Sequence, residues 1–239
     1  MVPMEPLRPT NNVCPNQLKL PGDFFNKLSP AALKDFWSLA ASSFYPAGRV
    51  IFAEKEQSHG IYIVIEGEVK LSINSSEGRR LSLRIAREGD MLGLASALSG
   101  APYETTAKTL TSARLIPIGK REFLRFMVRY PEAYQGLTQE LTRDFSMACE
   151  QLRTVALLSS APAKLARLLL DWSENGRPVE SGMEFPFSLT HEEIGEFIGA
   201  SRETVTRTLG VFKNQQLVAF QGSRLTIHSR AALASYAGC

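Results

Sequence analysis

The sequence contains few cysteines, and their placement removes two common ways of stabilising a small domain. The three cysteines are Cys14, Cys149 and Cys239, which lie far apart and are odd in number. No Cys-x-x-Cys pair is present, and the three histidines do not cluster. We therefore expect neither a disulfide framework nor a metal site.

Long apolar runs and strong charge are lacking as well. No stretch of about 18 consecutive apolar residues occurs, so we expect no transmembrane helix and no membrane partner. The first 20 residues hold no apolar segment typical of a secretory signal, which predicts a cytoplasmic protein. The formal net charge of +3 is compatible with a nucleic-acid partner but does not argue for one by itself.

The chain of 239 residues is long enough for two domains, and its apolar pattern changes along its length. We expect a flexible N-terminal arm over residues 1–20 and a β-rich domain with flanking helices over residues 21–130. A long helix should follow over residues 131–160, and a second, helix-rich domain over residues 161–239.

Short apolar runs between glycines characterise the first domain. They cover residues 50–52, 61–64, 69–73 and 81–85, with a glycine near each connection. Short strands with turn signals every 8–12 residues or so indicate a sandwich or barrel.

The long helix shows a coiled-coil-like pattern. Five apolar residues recur at alternating spacings of four and three: Leu141, Phe145, Ala148, Leu152 and Val155. The charged residues between them lie off this seam, which favours a homodimer. The alternative is a helix packed on the core of its own domain.

Residues 189–218 have the pattern of two short helices across a tight turn. Thr190 and Glu193 form a capping box for the first helix, and Gly199 makes the turn. Ser201 is the expected N-cap of the second helix. This arrangement is typical of a helix-turn-helix.

Apolar residues of the second helix are expected to face inward: Val205, Leu209 and Phe212. Its polar residues are left on the outer side: Arg202, Glu203, Thr206, Arg207 and Thr208. A following hairpin, residues 217–220 and 224–227, would form a wing.

Three of the outer side chains suit the recognition of bases. The guanidinium groups of Arg202 and Arg207 can each engage the two acceptors of guanine, and Glu203 can accept from the amino group of cytosine. Ser201, Thr204 and the helix N-terminus can bind phosphate. A solvated face stabilised by pairing of Glu203 with Arg207 is the alternative, but it does not explain the capped helix before it or the hairpin after it.

These motifs resemble those of the CAP/CRP–FNR family of bacterial transcription regulators. The resemblance covers nearly the whole chain after the arm, and its most specific stretches are IGEFIGASRETVTRTL and GIYIVIEGEVKL. It implies an α+β fold: an N-terminal double-stranded, jelly-roll-like β-roll that acts as a sensor, a long dimerisation helix and a C-terminal winged helix-turn-helix.

The family's base-reading positions fall on Arg202, Glu203 and Arg207, which implies a TGTGA-like half-site in double-stranded DNA. Thr190 flanks this set. His191 stands where relatives often carry an arginine that contacts phosphate, and Thr206 stands where they have glycine or serine. The loop over residues 178–186 stands where relatives contact RNA polymerase.

The resemblance also disfavours the family's known ligands. The ribose-binding Gly-Glu pair of cAMP-binding relatives matches Gly93-Leu94, and their phosphate-binding Arg-Ser pair falls on Tyr103-Glu104 or on Glu104-Thr105. A carboxylate beside a buried phosphate is repulsive, so cAMP is disfavoured. Too few cysteines are present for an iron–sulfur cluster, and no axial histidine is available for haem.

A remodelled pocket is therefore expected, either for an unidentified small effector or filled by the protein's own side chains. Its candidate residues are Leu92, Gly93, Leu94, Tyr103, Glu104, Thr105, Thr106, Ala148 and Cys149. As a redox switch, Cys14 on the arm is a better candidate than Cys149, which as a mid-helix cysteine is more typically a small buried hydrophobe.

The function predicted from the sequence is that of a DNA-binding transcription regulator. The alternative is a cyclic-nucleotide-type regulatory module that acts on a protein partner. No nucleophile–base pair and no phosphate-binding glycine loop is found, so an enzyme is not expected.

Overall fold

The computed structural model describes residues 21–237, so the predicted N-terminal arm and Cys14 lie outside the described residues. The chain forms two compact units. Of the described residues, 21–78 and 83–147 belong to the first unit, and 79–82 and 148–237 belong to the second.

Eight strands form two four-stranded sheets, and all of their residues except 80–82 belong to the first unit. In chain order they are β1 (Ser43–Tyr45), β2 (Val50–Phe52), β3 (Gly60–Glu66), β4 (Val69–Asn74), β5 (Arg80–Ala86), β6 (Met91–Leu92), β7 (Thr106–Thr109) and β8 (Ala113–Gly119). The sheet orders are β1-β8-β3-β6 and β2-β7-β4-β5. The β-roll predicted from the sequence is confirmed.

Helices flank the sheets of this unit. They are α1 (Asp23–Asn26), α2 (Pro30–Ser38), α3 (Leu94–Ser99), α4 (Lys120–Arg129) and the first part of the long helix α5 (Ala133–Leu157), whose residues from 148 onward belong to the second unit. At ~1.5 Å per residue, a helix of 25 residues is roughly 37 Å long.

The sequence of strand β3 is almost continuously apolar because both faces of the strand are covered. Ile61 and Ile63 pack into a cluster with helical residues such as Phe36 and Phe123. Tyr62 and Val64 point to the opposite face and pack in the interior between the sheets. Because alternate side chains of a strand face opposite sides, covering both faces requires apolar residues at successive positions.

An ion-pair network holds α5 to the β-roll within the first unit. The guanidinium of Arg84 lies 3.0 Å from Asp90 and 3.0 Å from Asp144, and Arg143 lies 2.7 Å from Asp90 and 2.5 Å from Glu140. Burial raises the pKa of Glu140 and of Asp144, and the neighbouring arginines oppose this shift. Two cations thus hold three partly desolvated carboxylates.

The second unit begins with α6 (Ala161–Trp172), capped by Ser160. It continues with β9 (Arg177–Val179), β10 (Gly182–Pro186), α7 (His191–Ile198), α8 (Arg202–Asn214), β11 (Val218–Gln221), β12 (Arg224–Ile227) and α9 (Arg230–Ala237). Its sheet has the order β11-β12-β10-β9.

The segment expected to be a loop before α7 is instead the hairpin β9–β10. Gly182 adopts a φ of 135°, and a Cβ there would lie 2.0 Å from the carbonyl oxygen of Ile227, so only glycine allows β10 to approach β12. Glu184 accepts hydrogen bonds from Arg177 and from Arg224, which hold its pKa below the ordinary value. Arg177 lies in β9 and Arg224 in β12, so these contacts form only when the strands pair. The sequence of residues 177–186 alone therefore did not predict strands.

Removing the central cation of the α5 network should destabilise the first unit. Arg84→Met leaves Asp90 and Asp144 partly buried without it, and we expect a loss of about 3 kcal/mol in the free energy of unfolding. Arg87→Met is the matched control, because Arg87 pairs with Glu68 at the surface and should cost below about 1 kcal/mol. Urea unfolding measures both, and equal losses would contradict the network.

The penalty of Arg84→Met should shrink as the pH falls. Because the pKa values of Glu140 and Asp144 are raised by folding, the folded state takes up protons more readily than the unfolded chain, and stability grows as the pH falls through the folded values. Protonation of Asp144 removes a charge that Arg84 neutralises, and protonation of Glu140 removes the charge that pairs with Arg143 in the same network. Urea unfolding at about pH 8 and at about pH 5 tests this; an unchanged penalty would exclude these carboxylates as its source.

Candidate nucleic-acid interface

Helices α7 and α8 form the predicted helix-turn-helix. Thr190 Oγ1 accepts from the backbone N–H of Glu193, and the Glu193 carboxylate accepts from the backbone N–H of Thr190, which completes the capping box. Gly199 ends α7 with a φ of 63°, in the left-handed region that glycine favours. Ser201 caps α8 by accepting from the N–H of Thr204.

Helix α8 has one buried side and one exposed side. Val205, Leu209 and Phe212 are buried, as predicted, while Arg202 and Arg207 are exposed.

Thr208 corrects the expected outer face, because it is only 4% exposed. It follows Val205 by three positions and therefore lies on the same side of the helix. Its hydroxyl donates to the carbonyl of Thr204, which satisfies the buried polar atom.

The two exposed arginines of α8 differ from most others in the protein. Arg84, Arg143 and Arg224 each contact a carboxylate. Within residues 21–237, no ion pair joins Arg202 or Arg207 to another side chain, so the alternative pairing of Glu203 with Arg207 is not formed. Their guanidinium donors are left facing solvent.

Glu203 is held at the start of α8. Hydrogen bonds from its own backbone N–H and from Ser201 lower the pKa of its carboxyl below the ordinary value. The carboxylate is therefore charged at neutral pH.

The other polar residues at this surface contact one another. His191 Nδ1 lies 2.7 Å from Thr206 Oγ1, and Thr206 also donates to the carbonyl of Arg202. The hydroxyls of Ser201 and Thr204 lie 3.2 Å apart. The structure thus places His191, at the N-terminus of α7, against Thr206 of α8, and Ser201 beside Thr204 at the N-terminus of α8.

The predicted wing is present as the antiparallel pair β11–β12. Gln221 pairs with Arg224, which leaves Gly222 and Ser223 as an exposed two-residue turn. The Lys213 ammonium at the end of α8 lies 4.5 Å from the ring centroid of Phe220 in β11, a cation–π contact that joins helix and wing.

The candidate effector residues fall in two groups. Leu92, Leu94 and Tyr103 are buried in the first unit, and Glu104 accepts from the Ser96 hydroxyl at 2.6 Å. The backbone of Gly93 contacts the Tyr103 ring.

The remaining candidates are less buried. Thr105 and Thr106 are half-buried in the first unit. Ala148 and Cys149 belong to the second unit, where Ala148 is exposed and Cys149 is half-buried.

Sequence reasoning missed the partners of Tyr103. They are Phe52, whose ring stacks on it, and the backbone of His59 and Gly60. They lie more than 40 positions earlier in the chain, and no local pattern connects them to Tyr103.

The seam residues of α5 lie mostly at the surface of the chain. Phe145 is 70% exposed and Leu152 is 66% exposed, whereas Val155 is half-buried. Leu141 is half-buried and packs against the first unit's helical cluster. Large exposed apolar side chains in a row along one helix are unusual for a monomer surface.

Two family models match the chain in the same order as the two units. A cyclic nucleotide-binding domain matches residues 43–130, and a Crp-like helix-turn-helix domain matches residues 163–236. The second match does not favour the alternative of a module that acts on a protein partner.

Similar proteins agree with these models. A CRP-like cAMP-activated global transcriptional regulator from Mycobacterium tuberculosis is 28% identical over 88% of this chain and 94% of its own length. The global nitrogen regulator of Synechococcus elongatus is 27% identical over 79% of this chain and 86% of its own length.

Solved structures agree as well. A CRP-family transcriptional regulator from Thermus thermophilus is 25% identical, with a TM-score of 0.68 over 82% of this chain and 97% of that chain. FixK2 from Bradyrhizobium japonicum, 20% identical, shares the fold with a TM-score of 0.72 over 82% of this chain and 96% of that chain.

Among the described residues, none of the helices has the length and apolar character needed to span a membrane. The relatives are transcriptional regulators rather than enzymes. The chain belongs to the CRP/FNR family of transcription regulators, with a cyclic-nucleotide-binding-type β-roll, a long helix and a winged helix-turn-helix DNA-binding domain.

Proposed function

We propose that the protein is a cytoplasmic homodimer that binds a pseudo-palindromic, TGTGA-like operator with Arg202, Glu203 and Arg207. The observation that carries this proposal is the exposed start of α8, where two arginines that form no ion pair within the described residues flank a charged glutamate. Guanine offers two acceptors in the major groove to each arginine, and cytosine offers an amino donor to the glutamate.

Contacts to the DNA backbone would orient this helix. The N-termini of α7 and α8 carry partial positive charge, which suits phosphate. We assign phosphate or flanking contacts to the polar residues at these two ends: Thr190, His191, Ser201, Thr204 and Thr206. Such contacts raise affinity for all sequences and fix the register, without reading bases.

The exposed apolar row on α5 supports the homodimer. In water, side chains such as Phe145 and Leu152 gain from burial against the same row of a second copy. A two-fold dimer would place its two recognition helices in successive major grooves, about 34 Å apart.

The boundaries of the parts are proposals as well. We divide the chain into the arm 1–20, the sensor domain 21–130, the dimerisation helix 131–160 and the DNA-binding domain 161–239. RNA polymerase is a proposed partner through the segment 178–186, which includes β10. Control by cAMP is not expected, because Leu94 and Glu104 replace the groups that would bind it; an unidentified effector or a self-filled pocket remains.

In vitro selection from random DNA by the purified, ligand-free protein tests this function. We expect one enriched motif with two inverted TGTGA-like half-sites whose centres lie one helical turn apart. Enrichment of no motif would contradict sequence-specific binding.

Arg202→Ala should weaken binding to the selected operator by about 1–3 kcal/mol and relax selectivity at one base pair of each half-site. Arg125→Ala removes the same charge from α4, outside the helix-turn-helix, and should leave affinity and selectivity almost unchanged. Fluorescence anisotropy on operators with single base changes measures both. An equal loss on every sequence would show that Arg202 contacts only phosphate.

Leu152→Glu should convert the dimer to monomers, because it would place two carboxylates in an apolar interface. Gln139→Glu adds the same charge to an exposed position of α5 off the seam and should remain dimeric. Sedimentation velocity distinguishes the two results. A dimeric Leu152→Glu variant would exclude this seam.

A further inference from the structure

We propose that Tyr103 is a built-in ligand of the β-roll: its phenol ring fills the interior beside Gly93, and no small-molecule effector is needed there for DNA binding. The statement about DNA binding rests on the proposed function. The statement about the occupied interior rests on the first unit alone.

The ring of Tyr103 is enclosed between aromatic and glycine neighbours. Tyr103 is 1% exposed, and its ring centroid lies 3.9 Å from that of Phe52 with an interplanar angle of 18°. Tyr62 extends the group, with its ring 5.6 Å from Phe52. These rings belong to the cluster that fills the space between the two sheets.

The fit against Gly93 is close. A Cβ added to Gly93 would lie 2.8 Å from Cε1 of Tyr103, so the ring rests directly on the glycine backbone. Gly93 caps α3 with a φ of 78°, which also favours glycine. Any ligand placed against this glycine would have to displace the ring.

The hydroxyl of Tyr103 makes all the hydrogen bonds that a phenol can make. It donates to the carbonyl of Gly60 at 2.9 Å, and it accepts from the N–H groups of His59 and Gly60, each at 3.2 Å. A phenol has one donor and accepts up to two hydrogen bonds. Withdrawal of the ring would take these bonds from the backbone at the start of β3, and buried polar groups without partners are costly.

The segment that carries Tyr103 is held in place on both sides. Its backbone N–H donates to the carbonyl of Glu56 at 2.9 Å, and its carbonyl accepts from the N–H of Lys55 at 2.8 Å. The next residue, Glu104, bonds to the buried Ser96, and Thr106 Oγ1 accepts from the N–H of Glu54 at 3.0 Å. Tyr103 is thus fixed from its backbone to its hydroxyl, as a bound ligand would be.

Thermal unfolding of the full-length protein tests the occupied interior. The wild-type midpoint should not shift with cAMP, cGMP or phenol, because the ring already fills the space. Tyr103→Ala should lower the midpoint of the first unit by about 10 °C, the size expected for an aromatic cavity in a chain of this length. Phenol should then raise the midpoint in a saturable manner, and benzene should raise it less, because benzene cannot replace the three hydrogen bonds.

Two further variants are the controls. Phe123→Ala removes a buried aromatic ring from the other cluster of the same unit, where phenol should have no advantage over benzene. Tyr103→Phe keeps the ring and loses only the hydroxyl, so it should fold with a smaller loss and show no response to phenol. If Tyr103→Ala does not fold, Tyr103→Phe and the wild-type titrations still decide the matter.

The proposal is overturned if cAMP or cGMP raises the wild-type midpoint, or if phenol has no advantage over benzene in Tyr103→Ala. DNA binding is measured separately. The wild type should bind its selected operator equally with and without the two nucleotides. If DNA binding by the wild type requires cAMP or cGMP, the proposal that no effector is needed is overturned. If no DNA motif is selected, only the proposed function is contradicted.

Discussion

The burial of Val205, Leu209 and Phe212 is the constraint on which the DNA-reading surface depends. A helix with one apolar side has one favourable rotation about its axis, and burying these three side chains fixes that rotation. Arg202 and Arg207 are then directed to solvent, and no ion pair among the described residues is needed to hold them there. The capping residues at both ends of the turn fix where each helix begins, so the position of the arginines along α8 is determined as well.

Core packing also decides what the first unit offers to a ligand, but here it closes the interior instead of exposing polar side chains. Its interior is filled by apolar residues from both sheets, and the only polar demand of Tyr103 is met by the backbone at the start of β3. A ligand pocket in such a fold needs polar groups at its wall that can hydrogen-bond to the ligand. Here the Tyr103 hydroxyl already bonds to the backbone groups at that wall, and its ring occupies the volume that a ligand would need.

Much of the architecture was predictable because its signals are local. A capping box, a glycine turn and the apolar face of α8 lie within 30 residues, so the helix-turn-helix and its wing follow from short-range rules. The hairpin β9–β10 was not predictable in this way. Its strands are short, and they are stabilised by the contact of Gly182 with β12 and by the pairing of Glu184 with Arg224. Thr208 was misplaced for a related reason, because a threonine can be buried when a backbone carbonyl satisfies its hydroxyl.

Apart from the hairpin β9–β10, the sequence by itself determined the main classes of element, their order and the chemistry offered at the start of α8, because helix periods, caps and turns are properties of neighbouring residues. It also placed Leu94 and Glu104 where, by the family resemblance, cAMP-binding relatives carry groups that bind the nucleotide. Only the tertiary structure decided what fills the β-roll, because the stacking of Tyr103 on Phe52 joins residues 51 positions apart. Contacts between such distant residues depend on how strands pair and sheets pack, and neither is encoded in any single segment.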